Sequence, residues 1–108
     1  MVYSKVDEPA QFVGGTSEMG KFIAMNISYP QVVGFCDFYS GTRIYARFIV
    51  LKDGSISDIS IIRGIEDCGE CGEEVIRLVK SMPNWIPAKV NGQPVNSFFN
   101  LPVRFHPQ

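Results

Sequence analysis

Two strand patterns joined by a turn occupy residues 42–63, which have the sequence TRIYARFIVLKDGSISDISIIR. In the first pattern, residues alternate with the period of two that places successive side chains on opposite faces of a strand. The alternation assigns one set to the core: Ile44, Ala46, Phe48 and Val50. Asp53-Gly54 favours a tight hairpin turn, because such turns require positive φ angles. We therefore predict an antiparallel hairpin of strands 42–52 and 55–63.

The second strand contains a change of phase. Ile59 and Ile61 are expected to face the core, but Ile56 is out of phase with them. An extra residue in one strand of an antiparallel pair produces such a change, since it kinks the strand and increases its twist. We predict a β-bulge near Ser57.

Helical patterns precede the hairpin. Apolar residues at helical spacing predict a helix over residues 18–27. These residues are Met19, Phe22, Ile23 and Ile27. Thr16 and Ser17 are its candidate N-caps. Pro30 suits the first turn of a second, short helix that extends to about Phe38. Before them, residues 1–16 form an N-terminal extension that is partly extended, and its residues Val2, Tyr3 and Val6 could form a short strand.

A third helix and a last strand follow the hairpin. The helix is predicted over residues 73–82, with a buried stripe of Val75, Leu78, Val79 and Met82. The segment 84–88 is expected to be extended and irregular, and Asn91-Gly92 is expected to be a turn. The last strand is predicted over residues 95–105, with Phe99, Leu101, Val103 and Phe105 on its core face. Because Pro94 and Pro102 lack a backbone N–H, part of this strand should lie at a sheet edge.

This order of elements predicts an α+β fold. A strand–helix–strand crossover joins the hairpin to the last strand, so these two strands run parallel with room for one strand between them. We therefore expect a three-stranded antiparallel sheet in the order second–first–third, with helices packed on one face as a two-layer sandwich. An N-terminal helical extension precedes this sandwich. The predicted domain spans residues 17–108.

Composition excludes several classes of protein. The chain has 108 residues, 45% of them hydrophobic and 19% charged, with a net charge of −1. This length predicts one domain, and the charge argues against binding to duplex nucleic acid, which requires clustered cations. The sequence contains neither an apolar run long enough to span a membrane nor a signal peptide. Composition leaves open whether the chain is cytoplasmic or a piece of a longer protein.

The order of the motifs resembles the C-terminal domain of TonB energy transducers. The similar stretches cover nearly all of residues 2–105. They are Tyr29-Pro30, GTRIYARF at 41–48, KDGSISD at 52–58, VKSMPNWIPAK at 79–89, NGQPV at 91–95 and LPVRF at 101–105. PAQFVGG at 9–15 is similar to the extension typical of Bacteroidetes members.

The resemblance implies a non-enzymatic periplasmic domain without a cofactor. In the family, a membrane helix and a linker tether this domain to an inner-membrane motor complex. The domain grips the Ton box of outer-membrane transporters by β-strand addition and transmits force for nutrient uptake. Carried over by position, the gripping edge is Val95, Asn96, Ser97, Phe98, Phe99, Asn100 and Leu101. The same edge could pair with a second copy and form a homodimer.

Two alternatives stay open for the function. One is a TonB-like domain reused in a membrane sensor or a peptidase-linked receptor. The other is a small thiol oxidoreductase that uses Cys68 and Cys71 at the start of a helix. Against redox activity, the surrounding carboxylates destabilise a thiolate. A structural disulfide between the two cysteines, or two unpaired thiols, is the alternative for this pair.

The remaining candidates for chemistry are sparse. Trp85 is expected to close the core, and its alternative role is that of an interface anchor beside the gripping strand. No metal site is predicted, because only Cys36 and His106 could complete a four-ligand set with Cys68 and Cys71, and neither has ligand spacing. His106 is too close to the chain end to be oriented as a catalytic base, so no catalytic residue is predicted.

Overall fold

The fold is given by a computed structural model that describes residues 2–27, 43–64 and 69–104. These residues form two helices and five strands. In chain order they are α1 (Gly15–Asn26), β1 (Arg43–Val50), β2 (Ile56–Arg63), α2 (Gly69–Lys80), β3 (Ala88–Val90), β4 (Gln93–Val95) and β5 (Ser97–Arg104). The helix predicted over residues 30–38 lies outside the described residues. The predicted division between residues 16 and 17 stays a prediction.

The central sheet has the predicted order and direction. Its strands follow the order β2-β1-β5, and both neighbouring pairs are antiparallel. The pairing of β1 with β5 continues without a register shift from Arg43 opposite Arg104 to Val50 opposite Ser97. The four predicted core residues of β1 are fully buried. The α+β class and the antiparallel three-stranded sheet are therefore confirmed.

The predicted bulge is present in β2. Arg47 lies opposite Ser60 and Ile49 lies opposite Ser57, so a two-residue step on β1 faces a three-residue step on β2. Asp58 lies between these two β2 partners and has a φ of 52°. The extra residue sits in a left-handed conformation, which accounts for the phase change between Ile56 and the later core positions.

The helix α2 packs on β1 and β2, whereas α1 packs against the apolar core. In α2, the predicted stripe residues Val75, Leu78 and Val79 are fully buried. No residue of α1 is fully buried. The apolar face of α1 is partly buried and packs against the core. The guanidinium of Arg77 donates to the carbonyl oxygen of Asn26 at 2.7 Å, which links α2 to the end of α1.

The predicted helix starts and the predicted N-caps are wrong. The helix α1 begins at Gly15, and its N-cap is Gly14, which has a φ of 91° and makes no capping side-chain hydrogen bond. Gly15 donates its N–H to the carbonyl oxygen of Phe12 at 2.8 Å, so a tight glycine turn starts the helix early. Thr16 and Ser17 consequently lie inside the first turn. Similarly, α2 begins at Gly69, four residues before its predicted start.

The predicted start of the last strand is wrong, because Val95 belongs to a different sheet from residues 97–104, and Phe105 lies outside the described residues. Residues 93–95 form β4, which pairs with β3 in a separate hairpin whose turn contains Asn91 and Gly92 at positive φ. The chain changes sheets at Asn96, where the side-chain Oδ1 accepts the backbone N–H of Lys52 at 2.8 Å. The strand β5 then continues at the edge of the central sheet, as the proline at position 102 predicts.

Candidate functional site

The candidate site is the outer edge of β5, which faces away from β1. Phe98 donates its N–H across this edge to the carbonyl oxygen of Tyr3 at 3.0 Å. Outward and inward backbone groups alternate along an edge strand of an antiparallel pair. The backbone groups of Asn100 and Pro102 therefore also point outward.

Tyr3 occupies the first part of this edge. It forms a parallel bridge with Ser97, and its own N–H donates to the carbonyl oxygen of Asn96 at 2.9 Å. The two bonds satisfy the outward carbonyl of Asn96 and the outward N–H of Phe98. Residue Tyr3 is thus a one-residue addition to the sheet.

The later part of the edge is open. Among the residues that the structure describes, no backbone partner lies on the outward groups of Asn100 or on the carbonyl of Phe98. Asn100 is exposed, and 37% of Phe98 is exposed. The ring of Pro102 leaves that residue without a donor, so hydrogen bonding along the edge is interrupted there.

The residues of the predicted gripping edge fall into three groups. Val95 belongs to β4, where it pairs with Ala88, and Asn96 lies between the two strands. Three residues of β5 face the core: Ser97, Phe99 and Leu101. The exposed side chains of Phe98 and Asn100 lie on the opposite face of the sheet. The binding role of these residues stays a prediction.

The N-terminal segment, residues 2–12, runs from this edge to strand β3. Glu8 and Lys89 exchange N–H and C=O hydrogen bonds at 3.1 and 2.9 Å, and Gln11 and Ile86 do so at 3.0 and 2.8 Å. Asp7 adds a side-chain bond, since its carboxylate accepts the N–H of Asn91 at 2.7 Å. The sequence indicated a short strand here through its apolar residues, but it carried no signal for the partner of that strand.

An aromatic cluster lies beneath this segment. Trp85 is 3% exposed and packs edge-on against Phe12, Phe48 and Phe99, with ring centroids 5.7, 5.4 and 4.7 Å away. Its indole Nε1 is buried and has no hydrogen-bond partner among the described residues. A cavity of about 360 Å³ lies beside the cluster, between the N-terminal segment and Met19 of α1. The interface role of Trp85 stays a prediction, and direct contact with a partner would require the N-terminal segment to move.

A cationic side chain lies on the outer face of the sheet beside this edge. The guanidinium carbon of Arg47 is 4.1 Å from the centroid of the Phe98 ring, which is a cation–π geometry. Neither of the two ion pairs found within residues 2–27, 43–64 and 69–104 involves Arg47. Its charge is thus available to a partner that approaches β5.

Residues 40–107 match the family model described as Gram-negative bacterial TonB protein C-terminal. The chain belongs to this TonB family. The match covers more than half of the chain and includes all of the central sheet, whereas the N-terminal segment and α1 precede it. No significant match was found among curated proteins or among solved structures.

TonB C-terminal domains are non-enzymatic, periplasmic-type domains of energy transducers, and the family interacts with outer-membrane transporters. The part of this TonB domain that the structure describes contains no helix that is long and apolar enough to cross a membrane. The Bacteroidetes-type extension stays a prediction.

The cysteines of this TonB domain are described in part. Cys71 is fully buried in the core and disulfide-bonded. Cys36 and Cys68 lie outside the described residues, so the pairing of Cys71 with Cys68 stays a prediction. Within the described ranges, no three His, Cys, Asp or Glu side chains lie close enough together to hold a metal ion.

Proposed function

We propose that this TonB domain is a periplasmic partner domain that binds the Ton box of an outer-membrane transporter. The Ton box adds to the outer edge of β5 as an extended strand. The observation that carries this proposal is the open edge at Asn100, where an outward N–H and an outward C=O have no partner among the described residues. In the full-length protein, a tether to the inner-membrane motor complex would transmit force through this strand pair.

Backbone pairing is suited to a contact that transmits force between a domain and an extended segment. The main-chain bonds supply the affinity, and side chains at alternate positions supply specificity. Such an edge needs no strongly charged surface, which agrees with the net charge of −1. On the outer face, Arg47 stacked on Phe98 can pair with an acidic side chain of the added strand.

A titration of the isotope-labelled domain with synthetic Ton-box peptides tests this proposal. Amide shifts should concentrate at residues 96–101. Asn100→Pro removes the outward N–H without touching the bonds between β5 and β1, and it should abolish peptide binding. Asn100→Ala is the matched control, because it removes the same side chain and keeps the donor. Shifts concentrated elsewhere, or equal binding by the two variants, would contradict the proposed edge.

The homodimer through the last strand competes for the same backbone groups. An exposed strand edge is a template for any second strand, including that of another copy. Sedimentation of the wild type and of Asn100→Pro distinguishes the two occupants. If the wild type is a dimer that dissociates in the variant, the edge pairs with a second copy. If the wild type is a monomer, the edge is free to bind the transporter segment.

A further inference from the structure

We propose that the N-terminal segment of this chain is a built-in competitor for the partner strand, with Tyr3 as the competing residue. The inference rests on the proposed function, because it concerns the regulation of the same edge. Tyr3 bonds to the outward groups of Asn96 and Phe98 in the parallel direction. It therefore occupies backbone groups that an added strand would use.

The outer edge of β5 offers few complete pairing positions. A residue added in parallel donates to one outward carbonyl and accepts from the next outward N–H two residues later. The pair formed by Asn96 and Phe98 meets this requirement, and so does the pair formed by Phe98 and Asn100. The next pair fails, because Pro102 has no N–H, and the pair formed by Pro102 and Arg104 lies beyond this gap. Of the two complete positions before the gap, Tyr3 fills the first.

A partner strand beside Tyr3 would therefore pair fully at only one position before the gap at Pro102. A net contribution of about 1 kcal/mol per backbone hydrogen bond cannot offset the loss of translational and rotational freedom on binding when so few bonds form. Docking by strand addition consequently requires Tyr3 to leave the edge. Tyr3 also hinders strand pairing between copies, because it covers the first part of an otherwise exposed edge.

The attachment of the N-terminal segment is unequal along its length. Its tip, Tyr3, is held to β5 by two backbone bonds, and the exposed Ser4 and Lys5 follow it. Its anchor, residues 7–12, is held to the β3 region by the bonds of Asp7, Glu8 and Gln11 and by the burial of Ala10 and Phe12. The tip can therefore detach while the anchor stays in place.

Peptide affinity tests the competition. Tyr3→Pro removes the N–H that bonds to Asn96, and Tyr3→Ala is the matched control that loses the side chain but keeps this donor. Ton-box peptides should bind Tyr3→Pro about fivefold more tightly than Tyr3→Ala, the factor that corresponds to one backbone hydrogen bond. Equal dissociation constants for the two variants would overturn the inference.

Amide hydrogen exchange in the peptide-free domain separates this inference from the proposed function. In the wild type, the Phe98 amide should be protected by Tyr3, whereas the Asn100 amide on the same edge should exchange fast. Tyr3→Pro should accelerate exchange at Phe98 and leave Asn100 unchanged. If Phe98 exchanges as fast as Asn100 in the wild type, Tyr3 does not hold the edge and the inference is wrong. If protection at Phe98 is found but no Ton-box peptide binds any variant, the proposed function is wrong instead.

Discussion

The carbonyl oxygen of Gly54 accepts the backbone N–H of Trp85 at 2.8 Å. This bond joins the turn between β1 and β2 to the segment that carries the buried tryptophan. Gly54 has a φ of 91° and is itself buried. A Cβ at this position would overlap the carbonyl oxygen of Trp85, which is backbone and cannot rotate away. The close approach explains why the turn requires glycine.

Gly54→Ala should destabilise the domain by about 3 kcal/mol, as the left-handed backbone and the overpacked contact add together. Gly92→Ala is the matched control: Gly92 has a φ of 77°, but among the described residues only its own chain neighbours come within 4 Å of its Cβ position. The control should cost about 1 kcal/mol from the backbone alone. Urea unfolding measures both values. Similar costs for the two variants would show that the contact with Trp85 is not the constraint.

The buried tryptophan gives a second prediction. Trp85→Phe keeps an aromatic ring against Phe48 and Phe99 and removes the indole N–H that has no partner. An unsatisfied buried donor costs about 1–3 kcal/mol, so its removal offsets part of the lost volume. We expect Trp85→Phe to cost less than about 2 kcal/mol and Trp85→Ala to cost about 3–5 kcal/mol. Thermal or urea unfolding followed by circular dichroism compares the variants, and equal costs would contradict the account of the unpartnered donor.

The hairpin turn gives a prediction about pH. The Asp53 carboxylate accepts the Ser55 hydroxyl at 2.6 Å and the Ser55 backbone N–H at 2.9 Å. These bonds, the hydroxyl bond foremost, hold the pKa of Asp53 below its ordinary value of 3.8. Because the pKa is lowered in the folded state, the stabilisation is complete above the ordinary value and is lost as the pH falls through the folded-state pKa.

Ser55→Ala should raise the pKa of Asp53 toward its ordinary value, since it removes the hydroxyl and leaves the backbone donor. Carbon-13 NMR titration of the Asp53 carboxyl measures the change directly. Asp53→Asn should in turn make the loss of stability in acid less steep, because the variant has no carboxylate to protonate. An unchanged Asp53 pKa in Ser55→Ala would show that the hydroxyl bond does not control this group.

The central sheet follows from local patterns in the sequence. The alternation in β1 determines which side chains are buried, since a strand places successive residues on opposite faces. Asp53-Gly54 determines the hairpin, and the out-of-phase Ile56 predicts the bulge that the structure shows at Asp58. The alternation, the turn and the bulge each depend on residues that are close in sequence. A short stretch of the chain is therefore enough to predict them. The predicted order of the strands follows from the strand–helix–strand crossover, because the two parallel strands that it joins have room for β1 between them.

The candidate site depends on contacts between distant parts of the chain. The sequence alone determined that β5 is an edge strand, because Pro102 cannot donate to a ladder on both sides. Only the tertiary structure decided that the strand is broken at Asn96 and that Tyr3 covers its first outward groups. Backbone N–H and C=O groups are the same in every residue except proline. A bond between Tyr3 and Phe98 therefore leaves no pattern in the side chains, and it is specified by the packing of the residues that bring the two backbones together.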